Sequence, residues 1–128
     1  MTQGTTSGRG SLAIGSLAAM LGVALGAFGA HALEGVLSPE RLAVWETAVR
    51  YQMVHALGML LVGVLAVRGS SPWLRATAVC HTTGLVIFPG SLYLLCLTGI
   101  GVFGAVTPVG GVLWVIGWGL LAVHALRA

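Results

Sequence analysis

Between Leu12 and Ala32 the chain runs for 21 residues without a formal charge, enough helix to cross ~30 Å of hydrocarbon. Three further apolar stretches follow, separated by short connections, and together the four use nearly all of the 128 residues. In hydrocarbon every backbone N–H and C=O must bond within its own segment, so such stretches must be helices. Only 7% of the residues are charged, against about 25% in a soluble domain. A water-facing surface cannot be made from that composition, but lipid solvates Leu, Val and Ala directly. The sequence therefore specifies an all-α integral membrane four-helix bundle in a single domain, residues 11–128, with membrane lipid as its surroundings.

Residues 1–10, MTQGTTSGRG, are rich in Gly, Ser and Thr and read as a disordered tail. The spans are expected at about 12–32, 50–68, 73–98 and 107–126. A cleaved signal peptide is the rival reading of the first, because Ala30-His31-Ala32 loosely fits a small-x-small site; the apolar run is, however, longer than the ~7 to 15 residues of such segments. Ser38 can cap the second helix, Pro39 suits its first position, and Glu40 lies in its first turn. The helix should run to about Val67. Its opening turns are amphipathic and form an interfacial extension, with Trp45 and Tyr51 as anchors. Pro89 predicts a kink in the third span, because it cannot donate to residue 85. Thr107-Pro108 predicts the start of the fourth.

Four antiparallel spans put both termini on one side, with Arg9, Arg68, Arg75 and Arg127. Arg41, Arg50 and all three glutamates lie on the other. The positive-inside rule makes the termini cytoplasmic. The arginines are dispersed, and nucleic-acid binding would need them on one face. Cys80 and Cys96 are separated by roughly 24 Å along one helix, too far for a disulfide, and read as small buried fillers.

Lipid offers no hydrophobic reward for helix association, so helices meet through small residues and a few polar bonds. Ala18, Gly22, Gly26 and Ala30 form a four-residue stripe on the first span, a packing face. Gly111 and Gly119 suggest a groove on the fourth, with Trp114 and Trp118 on a neighbouring face. Candidate chemistry centres on the outer end. His31 and Glu34 close the first span, Glu46 and Arg50 form an i,i+4 pair, and Thr47, Tyr51 and His55 share a ridge beside Gln52. His31, Glu34, Glu46, Arg50, Tyr51 and His55 are expected to gather as a polar cluster. It is read first as a clasp between the first two helices, and alternatively as a cavity that binds a ligand or passes protons. One histidine per span also invites a haem or metal reading through His55 and His81, but no acid stands near either to orient a ligand. No metal or cofactor is expected. Nucleophile–base pairs, HExxH, paired carboxylates and phosphate loops are missing from the sequence, so a non-enzyme is expected.

The segments "GAFGAHAL" (26–33), "ETAVRYQMVHAL" (46–57), "FPGSLYLLCLTG" (88–99) and "TPVGGVLWVIGW" (107–118) resemble, in order and spacing, the small membrane-protein family that includes bacterial YgdD and vertebrate transmembrane protein 256. The resemblance implies a multi-span bacterial inner-membrane protein that keeps its first span. It supplies no activity and no catalytic residues. Pro89 departs from the family's "FSGSLY" form. The function expected is that of a structural or accessory membrane protein with a homo-oligomeric or membrane-protein partner. A small oligomeric transporter and a haem-binding redox subunit are the alternatives.

Overall fold

The structure, a computed structural model, describes residues 2–128, with side chains from residue 7 onward. It consists of four helices: α1 (Thr2–His31), α2 (Pro39–Arg68), α3 (Pro72–Thr98) and α4 (Val102–Arg127). All four are long and apolar enough to cross a membrane. Residues 2–10, expected as a tail, are the opening turns of α1, and Met1 lies outside the described residues.

Local chemistry sets the ends. The Ser38 hydroxyl accepts the Arg41 N–H at 3.3 Å ahead of Pro39, and Ser71 does the same for Leu74 at 3.1 Å ahead of Pro72. Each cap satisfies one amide that the helix leaves unpaired. Gly99 ends α3 in the left-handed region, at φ 71°, which favours glycine. The fourth helix begins at Val102 rather than at Thr107, so Pro108 stands inside it. Residues 102–106 are apolar, and in hydrocarbon they must close their own backbone bonds. The Thr107 hydroxyl assists by donating to the Phe103 carbonyl at 3.2 Å. α3 likewise continues through the fully buried Pro89 as one helix.

The helices form two antiparallel hairpins, α1 with α2 and α3 with α4, joined along α2 and α3. α2 is the most buried helix; α1 and α4 are mostly exposed to the surroundings. In the first hairpin the contact runs down a column of buried glycines, Gly8, Gly15, Gly22 and Gly29. A methyl on Gly15 would stand 2.8 Å from the Ala56 carbonyl oxygen, and one on Gly22 or Gly29 would stand 2.5 Å from Met53 or Trp45. Large residues of α2, at Val67, Leu60, Met53 and Trp45, fill these holes in descending order as α1 ascends.

This column has a seven-residue period, and the sequence suggested a four-residue one. Of the expected stripe, Gly22 and Gly26 face Met53 and Val49, Ala18 is half-buried and Ala30 is exposed. The reason is rotational. Four residues overshoot one turn by about 40° at 3.6 residues per turn, so a four-residue stripe leaves the interface within three steps. Seven residues fall short of two turns by only about 20°. The second hairpin uses the same device: Gly110 backs onto Phe88, Gly84 onto the Trp114 indole and Gly117 onto the His81 imidazole. Neither Gly111 nor Gly119 makes the closest approach there.

Gly15→Leu should push α1 from α2 and destabilise the protein by about 2 kcal/mol, the ordinary cost of overpacking. Gly10→Leu, where nothing lies within 4 Å, should be neutral. Thermal unfolding of both variants in one detergent measures the difference.

Candidate functional site

Tyr51 and His55 do share a ridge of α2, but it faces α3 and α4. His55 is buried, and its two ring nitrogens have assigned tasks. The indole N–H of Trp118 donates to His55 Nε2 at 3.0 Å. An indole nitrogen can only donate, so Nε2 is the unprotonated atom and the proton is on Nδ1. Nδ1–H in turn donates to the Tyr51 carbonyl at 2.8 Å. Trp114 covers the ring, stacked at 3.5 Å and 6°. His55 is thereby held as one neutral tautomer.

His81 is different. Its ring is wedged between Gly58 and Gly117, meets Trp118 edge-on at 4.8 Å and lies 5.6 Å from the His55 ring. It is fully buried, yet both ring nitrogens are without a hydrogen-bond partner. An unsatisfied buried polar group costs about 1–3 kcal/mol. The backbone is better served: the His81 carbonyl accepts the Trp114 indole N–H at 3.3 Å. A metal or haem iron would bind an unprotonated imidazole nitrogen, and in His55 that atom is occupied by Trp118. No group of three or more His, Cys, Asp or Glu able to hold a metal lies together among the described residues.

Tyr51, His55, Phe88, Trp114 and Trp118, with Gly111 leaving depth between them, line a groove of about 520 Å³ that opens sideways along α4. A second groove, of about 390 Å³, runs between α1 and α3 over Gln52 and Tyr93.

The expected outer cluster is not assembled as a unit. His31, Glu34, Glu46 and Arg50 are exposed, and their side chains form no hydrogen bond or ion pair among the described residues. Glu46 and Arg50 border a hollow of about 170 Å³ beside Gly26, Gly29 and Ala30, while Tyr51 and His55 turn away toward α4. The clasp exists, made by other residues. Trp45, expected as an interfacial anchor, is 2% exposed; its indole N–H donates to the Leu25 carbonyl at 2.9 Å. Gln52 joins three helices, donating from Nε2 to the Ala18 carbonyl at 2.9 Å and accepting the Tyr93 hydroxyl on Oε1 at 2.7 Å. Its signal in the sequence was slight: one uncharged amide entering an apolar helix. Cys80 and Cys96 are free, half-buried and buried respectively, and the Cys96 thiol donates to the Arg41 carbonyl at 3.3 Å.

Four apolar helices joined by short links, with polar side chains turned toward one another inside, define a small integral membrane protein. The family described as "Protein of unknown function (DUF423)" matches residues 25–111, and the chain belongs to that family. A UPF0382 membrane protein of Staphylococcus epidermidis is 44% identical over 119 residues, covering 89% of this chain and 93% of its own. The UPF0382 membrane protein YwdK of Bacillus subtilis is 45% identical over 115 residues, covering 89% and 94%. One of Staphylococcus saprophyticus is 45% identical over 114 residues, with the same coverage. No solved structure matches.

Gln52→Leu removes both interhelical bonds and should lower stability by about 1 to 2 kcal/mol. His31→Ala should stay within about 0.5 kcal/mol of the parent, as an exposed substitution does. Thermal melts in the same detergent separate a Gln52 clasp from a His31 clasp.

Proposed function

We propose that this chain is a non-enzymatic accessory protein of the bacterial plasma membrane, with both termini cytoplasmic, that works by lateral association with another membrane protein or a second copy of itself. The observation that supports this reading is where the polar side chains within the spans spend their bonds. Gln52 bridges α1 and α3, His55 is held by Tyr51 and Trp118, and Ser91 pairs with Thr107 at 2.6 Å across α3 and α4. These groups join helices. A conduit would need polar groups free to exchange partners along the bundle axis, and the fixed bonds of Gln52 and His55 favour an accessory role over transport.

The outward faces are what remain for an encounter. α1 presents Leu17, Leu21 and Val23, and α4 presents Val109, Val112 and Ile116, all exposed. Orientation is supported by charge: Arg9, Arg68, Arg75 and Arg127 share the end that carries the termini, without an acid. The relatives' description as bacterial membrane proteins supports the plasma membrane as the location.

Purification in native nanodiscs followed by mass spectrometry should retain a membrane protein, or a second copy, at fixed ratio. Proteoliposomes containing the chain should leak protons no faster than empty ones. A monomer without protein partners, together with a proton flux proportional to protein density, would replace this reading with the transporter.

A further inference from the structure

We infer that the groove along α4 binds the head of a membrane-soluble quinone, a flat uncharged ring with two carbonyl oxygens on an apolar tail. The inference stands apart from the accessory reading, since it concerns a small molecule rather than a protein partner.

Four observations select the occupant. The wall consists of rings, Tyr51, His55, Phe88, Trp114 and Trp118, already packed against one another: Tyr51 to Phe88 at 5.0 Å, Phe88 to Trp114 at 4.8 Å. Aromatic faces favour a flat ring, through offset or edge contacts, over an aliphatic chain. No charged side chain lines the groove, which suits a neutral guest, because a charged one would lie unpaired in hydrocarbon. The groove opens on the flank of α4 beside the exposed Val112 and Val115, so a guest enters from the bilayer with its tail among the lipid chains.

The fourth observation is unmet hydrogen bonding. The Tyr51 hydroxyl, at the rim, donates to nothing among the described residues and is 45% exposed. One carbonyl of a quinone then accepts from the Tyr51 hydroxyl, the polar group of the groove wall that lacks a partner. Binding alone is inferred, and no electron transfer is assigned.

A decyl-substituted benzoquinone titrated into the full chain in phosphatidylcholine nanodiscs tests this by tryptophan quenching. Trp114 and Trp118 should quench saturably, leaving the signal of Trp45 and Trp73. Tyr51→Phe should weaken binding about five- to tenfold, the effect of losing one hydrogen bond of ordinary strength. Val115→Phe, at a 73% exposed rim position where folding is not at stake, should weaken it at least as much by narrowing the mouth. Decylbenzene, with the same tail and no carbonyl, should compete about tenfold more weakly or worse. Quenching that rises linearly with quinone per lipid, an affinity unchanged in either variant, or equal competition by decylbenzene would each overturn the inference.

Discussion

The structure depends on how closely two helix backbones can approach when nothing pushes them together. In water, burial of Leu and Val would drive the association; in lipid that gain vanishes, and only dispersion and a few polar bonds remain. Dispersion acts at contact distance and fades within an ångström. Glycine lets a side chain of one helix rest on the backbone of the next, which is how Met53 meets Gly22, Trp45 meets Gly29 and Phe88 meets Gly110. The same rule in both hairpins explains why α2 and α3 form the interior and why α1 and α4 can leave so much apolar surface in lipid.

Polar bonds then fix what the glycine columns allow. α1 touches α3 hardly at all; the Gln52 amide links Ala18 to Tyr93 at the depth where the first hairpin meets the second. Trp45 adds a bond to Leu25 and a tilted contact with Tyr93 at 4.5 Å. His55 holds the other side of α2 against α4. His81 breaks this pattern, since it is buried as deeply as any of them and is left unbonded.

Much of the architecture could be read from residues alone. Lengths and charges located four spans; Ser38 and Pro39 marked the start of α2, and Gly99 marks the end of α3. The facing of side chains was less accessible, because it depends on rotation about axes that the sequence does not relate to each other. Tyr51 and His55 were correctly placed on one ridge, yet that ridge turns to α4 rather than to α1. His31 and Glu34 stand out in the sequence as polar groups at the end of an apolar run, but a helix end already has water and headgroups for such groups. Trp45 and Gln52, which carry the actual clasp, look ordinary in isolation. The glycine column was hidden for a similar reason: Gly22 and Gly26 form a familiar pair, and the seven-residue series through Gly8, Gly15 and Gly29 becomes visible only when a partner helix sets the period.

Disulfide trapping in native membranes tests the glycine register most directly. In a background of Cys80→Ala and Cys96→Ala, Gly26→Cys paired with Val49→Cys should oxidise rapidly within one chain, because Val49 lies 3.2 Å from the position of a Gly26 side chain. The control pair Ala24→Cys with Val49→Cys, whose first member faces away from α2 and is exposed, should remain reduced. Trapping of the control in preference to the Gly26 pair would mean that α1 presents another face to α2, and the close-packed hairpin described here would be wrong.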